Sequence, residues 1–465
     1  MTEEKTMSIS IRLAGVRKFL GSPLFMALNV IVGSAFLAGR AYVYGAIFFL
    51  MEISVLLAVS DDILPTILPF LQLCVTVLPC YNSFDTFIKY VYLAPVPIAA
   101  LAFHFIAYKK PIKVGSTFYG IAAVAVAVTT GGAGAISTEE YTSLSSLFYM
   151  FTLGIGMCGA YLLLKSQLVK REDYDVRDRL AETMIYAGIY ASIQTVLLIW
   201  FAYKSGIAPD GEFADWLWDI RIGAGMFQAN NNLATILMMC LPFCFYRLRQ
   251  KKYVYAVPLV IMALCLYTGK SRAGMYLGII EIVVLTAVYL MTSENSKVRK
   301  GVFIISVIGF VLALKFVLDL LLSGKLVSPT EARALLLVRS FDDFWSNPLF
   351  GQGIGSRKNT DIYNGVAGTM IWYHMMLPQI YGSMGLVGIA AYAFQAYGRI
   401  KLTVKKFSLY TLTLAMSYFG LLLMSQINPG EFCPFPYGIM AVIMFIMMEN
   451  EPDSEWNITD LGWRQ

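Results

Sequence analysis

The sequence predicts an all-α fold: a polytopic membrane helical bundle of about 14 transmembrane helices, with 12–14 as the range. Three observations predict it. The 465-residue chain is 58% apolar and 14% charged, with a mean hydropathy of +0.64, whereas a soluble domain carries roughly 25% charged residues. Apolar runs of about twenty residues, long enough to cross a bilayer, recur along the chain. Lysine and arginine gather in alternate gaps between those runs, the pattern of cytoplasmic loops. A soluble enzyme, a disordered protein and a disulfide scaffold are excluded together.

The charged first 22 residues lead into an apolar run from Pro23 to Ala38 without a small-residue cleavage pattern, so this run reads as a retained span. Spans follow in order at roughly 23–39, 41–59, 63–80, 90–107, 114–136, 144–164, 182–203, 227–246, 253–269, 273–292, 301–322, 376–397, 408–425 and 436–448. With the N-terminus inside, the inner segments 1–20, 108–113, 165–183, 247–252, 297–300, 399–406 and the acidic tail 449–465 hold 24 of the 36 basic residues. The outer face holds 11, and Lys315 lies within a span. This bias places both termini in the cytoplasm. The whole chain, 1–465, reads as one membrane domain. Net charge of +6 follows from topology and implies no nucleic-acid partner.

One gap is far longer than the others: the outer loop 323–375. Ser328-Pro329-Thr330-Glu331 is a capping box with proline at the first helical position, so a helix should run over 330–345 and stop before Asn347-Pro348. Ala332, Leu335, Leu336, Phe344 and Trp345 suggest a helix lying on the membrane surface. Gly351, Gly353 and Gly355 then predict a flexible turn. Seven cysteines without a Cys-x-x-Cys pair and only two histidines argue against a metal site, and no cofactor is expected.

Ionisable residues inside spans are few: Glu52, Glu281, Lys315 and Asp319, of which the last two are four apart and suited to pairing. The outer face is richer. Arg221 precedes Gly223 and Gly225 and a span opening on Gln228, Asn230, Asn231 and Asn232. Arg272 and Lys270 sit in the short hairpin 269–274, Arg333 and Arg339 on the loop helix, and His374 at the loop's end. Guanidinium groups match phosphate oxygens in a fork and stay charged in a low dielectric, so two or three can hold a diphosphate without metal. A neutral histidine can take a proton from an attacking hydroxyl. The same residues also fit plainer roles: Arg221 and Arg272 as snorkelling anchors, His374 as an interfacial histidine, Arg339 as a partner of Asp342 or Asp343.

Together these segments resemble the O-antigen ligase/polymerase family of integral-membrane enzymes, over about 215–395. Arg221-Ile-Gly-Ala-Gly-Met-Phe-Gln-Ala-Asn230-Asn-Asn-Leu-Ala is similar to the family's arginine, glycine and asparagine stretch, and Gly269-Lys-Ser-Arg272-Ala-Gly to its Ser-Arg-Gly hairpin. Arg333 through Asn347-Pro-Leu-Phe-Gly-Gln-Gly-Ile-Gly355, then Tyr373-His374 and Gly382-Ser-Met-Gly385-Leu-Val-Gly388, is similar to the signature around its large loop. The resemblance implies a metal-independent, inverting glycosyltransferase that polymerises or ligates O-antigen, capsule or exopolysaccharide. Its donor would be an undecaprenyl-diphosphate-linked oligosaccharide at the outer leaflet, and its acceptor a glycan or lipid-linked glycan. Arg221 and Arg272 would hold the diphosphate and His374 would orient or deprotonate the acceptor hydroxyl. Arg333, Arg339, Asn230, Asn231 and Lys270 would be further substrate contacts. Chain-length regulators or flippases are candidate partners in the bilayer. Met375 departs from the asparagine that often follows the family's histidine, which leaves Asp342, Asp343 or Asp361 as alternative bases. Rival readings are a lipid-linked oligosaccharide flippase, which should show repeats and broken helices, and a non-catalytic assembly protein.

Overall fold

The computed structural model describes residues 15, 18–79, 90–137, 144–168, 174–204, 227–269, 271–292, 296–297, 299–305, 308, 332–354, 373, 375–427 and 430–454. Among the described residues the chain is helical, with no strand. In chain order the helices are α1 Pro23–Ala38, α2 Tyr42–Val59, α3 Ile67–Val77, α4 Pro95–Ala107, α5 Thr117–Ser137, α6 Leu144–Phe151, α7 Met157–Gln167, α8 Val176–Lys204 and α9 Phe227–Arg249. Then come α10 Ala256–Thr268, α11 Arg272–Met291, α12 Ala332–Ser346, α13 Met376–Lys405, α14 Leu409–Ser425 and α15 Ile439–Glu449. Lys315 and Asp319 lie outside the described residues, as does most of the expected span 301–322.

The helices are apolar on both their inner and outer faces. Among the described residues four are long and apolar enough to cross a membrane, Tyr42–Val59, Leu147–Gln167, Val176–Phe201 and Ala273–Met291, and seven more apolar helices are shorter. Large aliphatic side chains stand exposed on the bundle's outside, Ile31, Ile106 and Val283 among them. A surface of that kind suits lipid and not water. Helix α9 is the axis. Every residue from Leu233 to Cys244 is buried, as expected of a helix that is hydrophobic all round, and α8, α10, α11 and α14 pack around it. Pro242 within α9 removes one backbone donor. Nearby carbonyls are bonded from neighbouring helices, Met239 by the Ser417 hydroxyl (2.5 Å) and Pro242 by the Tyr289 hydroxyl (3.2 Å).

The loops expected inside meet at one end of the bundle. Arg247, fully buried, bonds Asp178 (2.6 Å) and Glu182 (2.9 Å). Glu449 accepts from the Thr117 amide (2.7 Å) and pairs with Lys165 (3.0 Å). Arg177 pairs with Glu451, Lys406 with Asp453, and Lys110 donates to the Asp61 carbonyl. Charged side chains from loops far apart in sequence thus tie one rim together.

The long helix α13 is broken at Gly385, whose φ of 60° and ψ of −150° are non-helical. An unbroken helix would bond the Leu386 and Val387 amides to the Gly382 and Ser383 carbonyls, four residues back. Instead Leu386 donates to Pro348 (2.8 Å) and Val387 to Leu349 (3.1 Å), while Gln352 donates to Gly382 and Gly353 to Ser383, each at 2.9 Å. Residues 348–353 therefore take over all four freed backbone groups. This corrects the flexible turn expected at Gly351 and Gly353. Gly351 has φ +68°, and a Cβ there would come within 2.3 Å of the Ser383 backbone; the glycines are needed to clasp the broken helix. Gly355 lies outside the described residues.

Two further expectations change. Helix α12 buries Leu336, Ser340 and Asp343, a face that is partly polar, against α13, while Leu335 and Trp345 are exposed. It is docked on the bundle through that face. Arg399 was expected in the inner loop 399–406. It lies inside α13, buried, with its Nη1 2.7 and 3.0 Å from the two carboxylate oxygens of Glu431. The Tyr418 and Phe445 rings flank its guanidinium at 4.8 and 4.6 Å. Since Arg399 is fourteen residues from Gly385, about 21 Å along the helix, the turn Gly430–Phe432 descends well into the bundle. All three residues of that turn are buried in protein.

Two stability measurements in detergent follow. Gly385→Ala should lower the melting temperature, because the backbone conformation alone costs a non-glycine residue about 1–3 kcal/mol and its Cβ would come within 2.5 Å of the Pro348 carbonyl oxygen. Arg399→Met should cost about 3–5 kcal/mol by leaving the Glu431 carboxylate buried alone, and Arg399→Met with Glu431→Leu should recover most of it. An unchanged melting temperature in either single variant contradicts the corresponding contact.

Candidate active site at one end of the bundle

The other end of the bundle carries the candidate site. Helix α11 begins at Arg272 because Ser271 caps it. Its backbone is extended (φ −84°, ψ 107°), and its hydroxyl accepts from the Gly274 amide at 2.8 Å. The same hydroxyl donates to the Asn231 side-chain carbonyl at 2.6 Å. A Cβ on Gly274 would lie 2.5 Å from Ala234 of α9, so only glycine lets the hairpin sit this close. The hairpin 269–274 and the asparagine-rich start of α9 are thereby one unit, joined side chain to side chain. Arg272 is the first residue of α11, where unpaired amides and the helix dipole create partial positive charge. Asn232 is engaged as well: the Tyr437 hydroxyl donates to its side-chain oxygen at 2.9 Å and to its backbone carbonyl at 3.1 Å.

A second unit is built where α12 meets the start of α13. The Tyr373 hydroxyl donates to Asp343 Oδ2 at 2.5 Å, and the Tyr373 amide donates to Gln379 Oε1 at 3.3 Å. Gln379 Nε2 in turn donates to the Ser383 hydroxyl at 2.7 Å. One turn along α12, Ser340 and Tyr381 share a hydrogen bond of 2.7 Å, and Phe341 stacks on Tyr381 with ring centroids 5.2 Å apart. The turn 430–438 reaches both helices: Tyr437 bonds Asn232 of α9, and Phe432 packs on Tyr392 of α13 at 5.4 Å.

The expected site residues divide accordingly. Asn231 is described and bonded. Arg272, Arg333 and Asn230 are placed as helix positions, their side chains lying outside the described set. Arg339 is half-buried on α12. Arg221, Lys270 and His374 lie outside the described residues, although both chain neighbours of His374, Tyr373 and Met375, are described. Of the alternative bases, Asp343 is buried and bonded to Tyr373, Asp342 is exposed, and Asp361 lies outside the described residues. No cluster of histidine, cysteine or acidic residues suited to a metal occurs among the described residues.

Sequence reasoning missed Ser271 as a cap, Tyr373 and Gln379 as a buried network, and the Arg399–Glu431 pair. Ser271 was findable, since serine immediately before the first residues of an apolar helical run is a capping signal. Glu281 was noted without a role. It is fully buried on α11, neither carboxylate oxygen has a hydrogen-bond partner, and one oxygen lies 2.4 Å from where a Gly420 Cβ would be.

Among known proteins, the chain matches no family model and no curated relative. The fold and site define a helical protein with membrane-spanning character and a polar unit at each end of its bundle.

Ser271→Ala should lower stability by about 1 kcal/mol through loss of the cap. Asn231→Ala in the same background should add little, because both act through one hydrogen-bonded unit. Fully additive losses in thermal unfolding would contradict that unit.

Proposed function

We propose that this protein is a membrane glycosyltransferase that polymerises or ligates surface polysaccharide from undecaprenyl-diphosphate-linked glycans at the outer leaflet. The observation that carries the reading is the Ser271–Asn231 bond at the start of α11. It joins two separate pieces of the family resemblance at a helix N-terminus whose first residue is an arginine. A second junction supports it: the pieces 347–355 and 382–388 exchange four backbone hydrogen bonds across the Gly385 break. Pieces recognised separately in the sequence are thus neighbours in space, as parts of one site should be.

In this reading about 14 spans cross the membrane, the charged rim faces the cytoplasm and the α11 start faces outward. Arg272 and Arg221 neutralise the diphosphate, helped by the α11 amides. The acceptor hydroxyl attacks the donor's anomeric carbon and loses its proton to His374. The bond from that carbon to the phosphate oxygen breaks, and the electron pair leaves on undecaprenyl diphosphate. One displacement inverts the anomeric centre. Charge growing on the leaving diphosphate is met by fixed cations, which is where such a site supplies most of its rate. Asn230, Asn231, Lys270, Arg333 and Arg339 contact diphosphate or glycan. Polymerase and ligase differ in the acceptor alone.

The broken α13 also suits a flippase, whose discontinuous helices offer free backbone groups to substrate. Here residues 348–353 occupy the four groups freed at Gly385, so that feature offers no coordination site.

The test is turnover by purified protein given a polyprenyl-diphosphate repeat unit, with and without a second acceptor. A ladder of lengthening chains identifies a polymerase, and product only with the second acceptor identifies a ligase. Arg272→Lys should keep expression and lose turnover by on the order of 10- to 100-fold, the worth of a charge-assisted hydrogen bond or two. No turnover by folded wild-type protein on a native substrate, or full activity in Arg272→Lys, overturns the reading.

A further inference from the structure

Three buried polar groups stand in line at the junction of α12 and α13, beside the clasped break. Asp343 is 4% exposed, Gln379 1% and Ser383 1%. Tyr373, 8% exposed, joins the first to the others, through its hydroxyl to Asp343 and its amide to Gln379. Its ring is fixed too: a Cβ on Gly382 would lie 2.9–3.0 Å from three of its atoms, so ring and helix are in contact. Tyr373 is therefore held at backbone, ring and hydroxyl by three different residues. Buried polar networks of this kind, when satisfied, specify one arrangement of the elements they join.

What they join is informative. Asp343 belongs to α12, which also bears Arg333 and Arg339. Tyr373 directly precedes His374, and Met375, the residue after it, stands at the N-cap position of α13. An apolar interface would have joined α12 to α13 as firmly; phenylalanine and leucine fill such positions without a desolvated carboxylate. A carboxylate bonded to a phenol at 2.5 Å adds direction to that contact.

We propose that Asp343 and Tyr373 form a positioning clamp. It fixes the arginine-bearing helix α12 in register with the chain on either side of His374, so that phosphate-binding and proton-accepting groups stand at one separation during transfer. The proposal rests on the glycosyltransferase reading for what the clamp serves, and on the structure for the clamp itself. Neither residue touches the reacting atoms. Both act through their neighbours, and their loss should alter the rate of the chemical step more than substrate binding.

The experiment has two arms. In the first, spin labels at Val338 of α12 and Leu377 of α13, both exposed, report the inter-helix distance in lipid nanodiscs. The wild-type background should give one narrow distribution. Tyr373→Phe, which keeps the ring against Gly382, should broaden it, and so should Asp343→Asn, which keeps the side-chain volume. In the second, unlabelled Tyr373→Phe and Asp343→Asn are assayed on a polyprenyl-diphosphate glycan. kcat should fall by about tenfold or more with KM changed less than about threefold, and the double variant should be no worse than the poorer single. Distributions that stay narrow in both variants overturn the clamp. So does a broadened distribution with kcat unaltered, or a loss of kcat that only tracks a smaller folded fraction in thermal unfolding. If wild-type protein itself makes no product, the glycosyltransferase reading fails, and the distance arm still decides whether the clamp exists.

Discussion

A buried backbone that leaves the helical path must find partners for every amide and carbonyl it frees, because each buried polar group left unpaired costs about 1–3 kcal/mol. That constraint is met at Gly385. The break in α13 frees two amides and two carbonyls, and residues 348–353 return two carbonyls and two amides to them. Much of this end depends on the exchange. It holds the segment after α12 against α13, and it demands glycine at 351 and 385. Asp343 and Tyr373 then lock α12 and the start of α13 on the near side of the same junction.

The bundle has two different ends. One is a rim of ion pairs, in which Arg247, Lys165, Arg177 and Lys406 meet Asp178, Glu182, Glu449, Glu451 and Asp453. Its cations are largely answered by acidic partners from other loops. At the other end the start of α11 is held by neutral hydrogen bonds, Ser271 to Asn231 and Tyr437 to Asn232, with an arginine as its first residue, while the Asp343 carboxylate is engaged by Tyr373 on α12. In the proposed reading an anionic substrate is drawn to the α11 start, whose amides carry partial positive charge. This contrast between the ends is the physical basis of the functional proposal. The Arg399–Glu431 pair holds the buried turn 430–432 against α13.

Helix positions were largely legible in the sequence because apolar periodicity and charged gaps set them. The starts at Pro23, Leu144, Phe227 and Met376 agree closely with the spans expected there. The end of α13 was misread because a cluster from Arg399 to Lys406 resembles an inner loop; nothing local indicates that Arg399 has a carboxylate waiting 32 residues on. Glu431 was hidden for the same reason, since an acidic residue between two short apolar runs reads as an exposed turn. The glycine-rich stretch after Pro348 looked flexible because glycine permits many conformations, and only the broken backbone of α13 shows which one is used. The polar face of α12 escaped notice because Ser340 and Asp343 become an inward face only once Tyr373 and Tyr381 stand opposite. In the candidate site, residue types pointed to phosphate chemistry, while the cap by Ser271 and the close approach at Gly274 needed the three-dimensional contact with α9.

The most direct test of the account is a structure of the protein in lipid nanodiscs with a polyprenyl diphosphate bound. The account predicts diphosphate density at the start of α11, within hydrogen-bond reach of Arg272 and beside the Ser271–Asn231 bond. Diphosphate bound at the opposite rim, among Arg247, Lys165 and Lys406, would contradict it.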